Sequence, residues 1–127
     1  MRTKMLEIKE NIFNGYEIQC TVISMGADYT VCVHGGSKSH IGSVVMSVPR
    51  PSLTGEGMSC TSSVLNGIGH KDEAVARLFA EAIAKEKNGT VVCACGIHVD
   101  DITLEQIQEI KSCSEVLLKR ALAQLNH

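Results

Sequence analysis

The first half of the chain alternates between apolar and polar residues, which is the period of a half-buried strand. Four segments show this pattern and are predicted as strands: 16–24, 29–34, 41–48 and 59–65. Turn residues at 25–28 favour a hairpin between the first two, and the third is expected to extend an antiparallel meander that ends before Pro49. Residues 1–12 are interpreted as a polar leader and 50–58 as an exposed loop.

The second half of the chain changes to the period of a helix. From His70 to Asn88-Gly89, apolar side chains recur as one helical stripe, and the glycine is typical of a helix end. Residues 90–99 form the most apolar run, which predicts a central strand buried on both faces. Thr103 with Gln106 has the capping-box pattern, so a second helix is predicted from there to the C-terminus.

This order of elements predicts an α+β fold: a two-layer sandwich with a mostly antiparallel sheet of about five strands and two main helices on one face. The whole chain, 1–127, is expected to be a single domain. Because both helices cover the same face, the other face either meets water or becomes an interface, and we expect a homodimer.

Composition and charge exclude several classes of protein. A net charge of -2 without a Lys/Arg-rich run argues against nucleic acid as a partner. The apolar stretches are too short to cross a membrane and no signal-peptide core is present, so a soluble cytoplasmic protein is expected. The six cysteines include no CxxC pair and are interpreted as reduced and buried; we expect Cys93 and Cys95 to face opposite sides of their strand and to bind no metal.

Polar groups that could carry chemistry mark the ends of the predicted strands. His40 opens the third strand, Gly69-His70-Lys71 opens the first helix, and His98 and Asp100 follow the central strand. Free N–H groups and the helix dipole beside Lys71 favour an anion such as a phosphate or carboxylate. The structural alternative, a turn glycine followed by Asp72 as a first-turn acid, stays open.

Other groups have competing interpretations as well. His40, His70 and His98 could converge if their strand ends are adjacent, but no HxH or HExxH spacing supports a metal site. The hydroxyls of 61–63 are interpreted as a polar edge, since no GxSxG motif suggests a nucleophile. Arg77 follows His70 by seven residues and projects from nearly the same side of the helix, or it is a surface arginine.

Three motifs, together with Thr-Ser-Ser at 61–63, resemble one family. They are His-Ile-Gly-Ser-Val at 40–44, Gly-His-Lys-Asp-Glu-Ala-Val-Ala-Arg at 69–77 and Gly-Ile-His-Val-Asp at 96–100. The sequence resembles the prenylated-flavin chaperone family, which includes a small subunit of bacterial gallate decarboxylase and whose members often carry the label of amino-acid decarboxylase. The resemblance runs from about Tyr16 to the last helix, and Leu78-Phe79 departs from it where a proline is expected after the arginine.

The resemblance implies a fold similar to that of proteasome assembly chaperones and a non-catalytic accessory protein. Such a protein would bind prenylated FMN, FMN or a reduced precursor through its flavin phosphate, and assist delivery to a large decarboxylase subunit. The cofactor-binding residues implied motif by motif are His40, Ser62, Ser63, Gly69, His70, Lys71, Arg77, His98 and Asp100. No catalytic residue and no metal ligand is implied. Two alternatives stay open: a ligand-free dimeric scaffold and a small metal-assisted enzyme.

Overall fold

The computed structural model describes residues 4–67 and 70–126, with no side chain described for His70. The strands of the described chain are β1 (Met5–Asn11), β2 (Glu17–Met25), β3 (Asp28–Gly36), β4 (Lys38–Pro51), β5 (Met58–Asn66) and β6 (Val91–His98). The helices are α1 (His70–Lys87) and α2 (Leu104–Leu125), and a short 3-10 turn at Phe13–Gly15 joins β1 to β2. All these strands belong to one sheet in the order β1-β2-β3-β6-β4-β5.

The predicted fold class is confirmed, with one strand more than expected. Every neighbouring pair in the sheet is antiparallel except β3 and β6, which are parallel. The additional strand, β1, comes from the segment interpreted as a polar leader. It lies at the edge of the sheet and Ile8 is its one fully buried residue, so its hydrophobic pattern is weak.

The prediction of a meander through β4 was wrong, because β6 inserts between β3 and β4. Gly36 and Lys38 both pair with His98, and the backbone N–H of Ser37 donates to the His98 carbonyl at 2.8 Å. The chain therefore turns around the end of β6 rather than folding back on β3. The central position predicted for β6 is confirmed. Its expected burial on both faces was wrong: residues 92, 94 and 98 are only half-buried, because the helices cover the other face of the sheet.

Strand β4 runs through Pro49 to Pro51 and does not end before Pro49 as predicted. Its pairing with β6 stops at Ser47, which lies opposite Val91. Beyond Ser47 the strand has a single neighbour, β5. Both prolines therefore lie where β4 has a free edge, and their lack of an N–H donor costs no hydrogen bond to a strand on that side.

The core lies between the two helices and one face of the sheet. Helix α1 packs on β4, β5 and β6, while α2 packs on β1 and β2. Cys93 and Cys95 both belong to this core, so the expectation that they face opposite sides was wrong: residues two apart on a strand share a face. Within 4–67 and 70–126, neither helix has the length and apolar composition required to span a membrane.

The second helix begins as predicted. Thr103 accepts a hydrogen bond from the backbone N–H of Gln106, and the Gln106 side chain accepts one from the Thr103 backbone, which confirms the capping box. The uncovered side of the sheet, here called the open face, carries Met46, Val48 and Leu65. All three side chains are exposed.

Candidate functional site

A bulge interrupts the ladder between β4 and β6. Ser39 pairs with Ile97 and Ser43 pairs with Cys95, so the three residues at 40–42 lie opposite Gly96 alone. The His40 carbonyl packs against Gly96 so closely that a Cβ there would collide with it. Glycine at position 96 therefore lets the bulge close over β6.

Asp72, in the first turn of α1, lies beneath this bulge and is 2% exposed. Its Oδ1 accepts a hydrogen bond from the backbone N–H of Ile97 at 3.0 Å, and its Oδ2 lies 3.5 Å from Nε2 of His40. A Cβ at Gly42 would collide with the same carboxylate. Asp72 thus fastens the start of α1 to the end of β6, a larger structural role than that of a first-turn acid.

The imidazole of His40 is held in a polar but incompletely paired position. Its Nε2 is buried and has no hydrogen-bond partner in the described chain, although an oxygen of the Asp72 carboxylate lies 3.5 Å away. Protonation of His40 would turn this contact into an ion pair. The side chain as a whole is 31% exposed, so one edge of the ring remains open to solvent.

Three histidines gather where β3 and β6 end and β4 begins; we refer to His34, His40 and His98 as the histidine cluster. The rings of His40 and His98 are 6.1 Å apart in an edge-to-face arrangement, so these two converge as the sequence suggested. Nε2 of His98 lies 2.9 Å from an oxygen of Asp100, and Nδ1 of His34 lies 2.8 Å from the Ser39 hydroxyl. Insertion of β6 between β3 and β4 is what brings the cluster together.

A groove of about 270 Å³ lies beside Asp72, between α1 and α2; we call it the interhelical groove. Its apolar lining consists of Ala74, Val75, Leu78, Ile97, Ile107 and Ile110. Lys71 and Lys111 line it as well, together with Ser114, Glu115 and Asp72. Across the described residues, neither lysine makes a side-chain hydrogen bond or ion pair. Sequence reasoning missed this groove, because it depends on how the two helices meet.

Ser62 and Arg77 belong to a different polar network, which joins α1 to the outer strands. The Ser62 hydroxyl donates to Glu81 at 2.6 Å and contacts the Ser47 hydroxyl at 2.8 Å. Arg77 donates to Glu81 at 3.3 Å and to Glu73 at 3.0 Å. The described geometry therefore gives Ser62 a role in fastening α1 to β4 and β5, while Arg77 holds the Glu81 carboxylate from within α1.

The residues implied as cofactor ligands fall into separate groups. His40, Lys71, His98 and Asp100 lie near the start of α1. Ser62 lies opposite Ser47, which pairs with the first residue of β6, so it is about 16–23 Å along the sheet from the members of the histidine cluster.

Three implied ligands remain: Ser63, Gly69 and His70. Ser63 alternates with Ser62 and belongs to the open face. Gly69 and the side chain of His70 lie outside the described residues, and their binding roles stay predictions.

The described residues contain no group of three His, Cys, Asp or Glu side chains arranged to hold a metal ion. Elemental analysis remains the test of the metal-assisted alternative. Stoichiometric zinc that survives dialysis and is lost on substitution of His98 would bring that alternative forward.

Comparison with known proteins identifies relatives over most of the chain. Residues 13–126 match the family described as "Prenylated flavin chaperone LpdD-like domain". Protein LpdD from Lactiplantibacillus plantarum is 29% identical over 111 residues, which cover 87% of this chain and 79% of that protein. These matches confirm the family resemblance predicted from the three motifs.

The fold also has a solved counterpart. A chain in the crystal structure of a chaperone complex for yeast 20S proteasome assembly superposes with a TM-score of 0.57 and 13% identity, covering 96% of this chain and 95% of that one. At this identity the similarity concerns the fold alone. The predicted similarity to proteasome assembly chaperones is confirmed at that level.

Proposed function

Because the chain belongs to the prenylated flavin chaperone LpdD-like family, we propose that it binds prenylated FMN, or an FMN-type precursor, and assists its delivery to a decarboxylase. Family membership supports an accessory chaperone role. The observation that carries the ligand assignment is the position of His40 and Lys71 beside the buried Asp72 at the start of α1, with the ring of His98 6.1 Å from that of His40.

The first turn of α1 suits the ligand's phosphate. The start of a helix favours an anion, because its first backbone N–H groups have no acceptor within the helix and the dipole is positive there, and Lys71 adds a point charge. Two acids share this turn, but both are engaged: Asp72 binds the Ile97 amide, and Glu73 is paired with Arg77. Lys71 therefore remains the cation of the turn that can meet a phosphate.

The histidine cluster suits the polar edge of a flavin ring. A neutral imidazole offers one donor and one acceptor, and each of His34 and His98 uses one ring nitrogen in the contacts described above. Their other nitrogens can pair with the carbonyl and N–H groups of the ring. Aromatic residues make up only 3% of the chain, so polar and aliphatic contacts replace extended ring stacking.

We propose that the chain itself performs no decarboxylation. The nearest approach to a nucleophile and base is the pair of Ser39 and His34, which is exposed. In the described chain no carboxylate orients His34, whereas a catalytic serine requires base, orienting group and oxyanion donors together. Six unpaired cysteines are in keeping with action in the cytoplasm, where thiols stay reduced.

We also propose that the chain forms a homodimer through the open face. Met46, Val48 and Leu65 are exposed there beside the free edge of β5, and burying such a patch stabilises an interface. Light scattering should give twice the 13.7 kDa mass of one chain. Leu65→Asp should shift the mass toward the monomer, while Leu53→Asp in the β4–β5 loop should not; a wild-type monomer at micromolar concentration would contradict the dimer.

Co-expression with a flavin prenyltransferase tests the proposed function. The purified chain should carry prenylated FMN, recognised by its absorption spectrum and by mass spectrometry of the released cofactor. Co-purification of the decarboxylase or transfer of its cofactor would support the delivery step. A chain isolated without flavin from cells that contain the prenylated cofactor would favour the ligand-free scaffold.

A further inference from the structure

The interhelical groove differs in chemistry from the histidine cluster beside it. We propose that this groove takes the prenyl group of the ligand, while Lys71 and Lys111 at its rim hold the anionic phosphate. This assignment rests on the proposed function. It adds a binding site for the prenyl group, which distinguishes a prenylated flavin from plain FMN. The recognised chemistry is a compact branched aliphatic group joined to a phosphate-bearing molecule.

Size and lining favour a small aliphatic group. The volume of about 270 Å³ falls just below the roughly 300 Å³ at which pockets for whole drug-sized ligands begin. The lining contains aliphatic side chains from both helices and from β6 and no aromatic ring. A five-carbon prenyl group fits within such a space, whereas an entire flavin phosphate needs the adjoining surface as well.

The Ser114 hydroxyl and one oxygen of Asp72, which line the groove, already have hydrogen-bond partners. The Ser114 hydroxyl donates to the carbonyl of Ile110 at 2.7 Å, within its own helix. Asp72 directs one oxygen to the Ile97 amide and the other toward His40. An apolar guest therefore enters without leaving these polar atoms unpaired, and that condition is what makes apolar burial favourable.

Charge at the rim favours an anion on the outside of the groove. Lys71 comes from α1 and Lys111 from α2, so the two cations approach from different helices. Glu115 lies four residues after Lys111 on the same side of α2 and opposes this attraction. Glu115→Gln should consequently tighten phosphate binding or leave it unchanged.

A matched pair of substitutions tests the groove directly. Ala74 is exposed and lines the groove, so Ala74→Trp should fill it; Ala123→Trp places the same ring on an exposed part of α2 away from it. The wild type should bind prenylated FMN about ten- to a hundredfold more tightly than FMN, which is the effect of burying two or three methylene groups. Ala74→Trp should lose this preference and keep its affinity for FMN, whereas Ala123→Trp should behave like the wild type.

Methyl NMR of the wild-type protein gives a second readout that needs no variant. Titration with dimethylallyl monophosphate should shift the methyl signals of Ala74, Leu78 and Ile107, and FMN, which places only its phosphate at the rim, should shift those of Leu78 and Ile107 much less. Comparing the affinity for dimethylallyl monophosphate with the affinity for prenylated FMN shows whether a free prenyl phosphate or a prenylated flavin is the preferred ligand. Shifts confined to Leu65 and Met46 on the open face would overturn the assignment.

The outcomes separate this inference from the proposed function. Equal binding of FMN and prenylated FMN by the wild type would overturn the groove assignment and leave flavin binding intact. Binding of neither ligand would overturn both. If Ala74→Trp disrupts only a complex with the decarboxylase, the groove holds a protein segment and the assignment is wrong.

Discussion

The contact between Asp72 and the Ile97 amide predicts a measurable loss of stability when it is removed. Asp72→Ala leaves a buried N–H of β6 without an acceptor, which costs about 1–3 kcal/mol. Loss of an acid from the first turn of α1 adds about 0.3–1 kcal/mol. The free energy of unfolding should therefore fall by about 1.3–4 kcal/mol, a large part of the roughly 5–15 kcal/mol typical of a domain.

Thermal and urea unfolding measure this loss. A domain of this size changes its Tm by about 3–5 °C per kcal/mol, so Asp72→Ala should lower the Tm by roughly 4–20 °C. Asp72→Asn retains an acceptor oxygen for the Ile97 amide and should lie between wild type and alanine. In hydrogen exchange, the Ile97 amide should lose protection more than the amides at the start of β6.

Asp100→Ala is the matched control, because the Asp100 side chain is 84% exposed and pairs with His98 at the surface. It should change the free energy of unfolding by no more than about 0.5–1 kcal/mol. If Asp72→Ala costs no more than Asp100→Ala, the reasoning that Asp72 fastens α1 to the bulge is refuted.

Three further outcomes follow from other contacts. Burial raises the pKa of Cys20 to about 12 and that of Cys113 to about 11 from the ordinary 9.0, so the native state keeps protons that the unfolded chain releases. The contribution of the protonated thiols to the free energy of unfolding is complete below pH 9 and declines as the pH rises toward their pKa values in the native state. The loss is about 0.8 kcal/mol per thiol near pH 9.5. Alanine at both positions should flatten this decline in urea melts. Thr103→Ala should cost about 1 kcal/mol in the same melts, whereas the exposed Ser112→Ala should cost nothing; equal effects would argue against the capping box. Arg77→Ala should cost at most about 1 kcal/mol per ion pair and leave flavin affinity unchanged, and a weaker titration with flavin would return Arg77 to the binding site.

The sequence predicted those elements that depend on residues close together in the chain. The capping box fixes the start of α2 through two hydrogen bonds between residues three apart, so Thr103 and Gln106 suffice to predict it. The long apolar run of β6 likewise predicts a central strand. Strand β1 was missed because it lies at the edge of the sheet and buries only Ile8. Its sequence therefore shows almost no alternation of apolar and polar residues and resembles a polar segment.

The strand order could not be obtained from the sequence, because pairing in a sheet joins residues distant along the chain. Placement of β6 between β3 and β4 sets Gly36 and Lys38 on either side of His98 and so assembles the histidine cluster. The strand ends were recognised as positions for chemistry, and the convergence of His40 with His98 followed from that. The role of Asp72 had no sequence signal, since it depends on a bulge that Gly42 and Gly96 permit.

Binding of a flavin phosphate at the start of α1 is tested most directly by titrating the purified chain with reduced prenylated FMN in the absence of oxygen. The wild type and Lys119→Ala, a charge removed from the exposed side of α2, should bind with the same affinity. Lys71→Ala should bind about ten- to a hundredfold more weakly, the loss of one charge-assisted contact of about 1.5–3 kcal/mol, with its Tm unchanged. A wild-type chain that does not bind the cofactor, or a Lys71→Ala variant that binds it equally well, would contradict a phosphate site at this helix start.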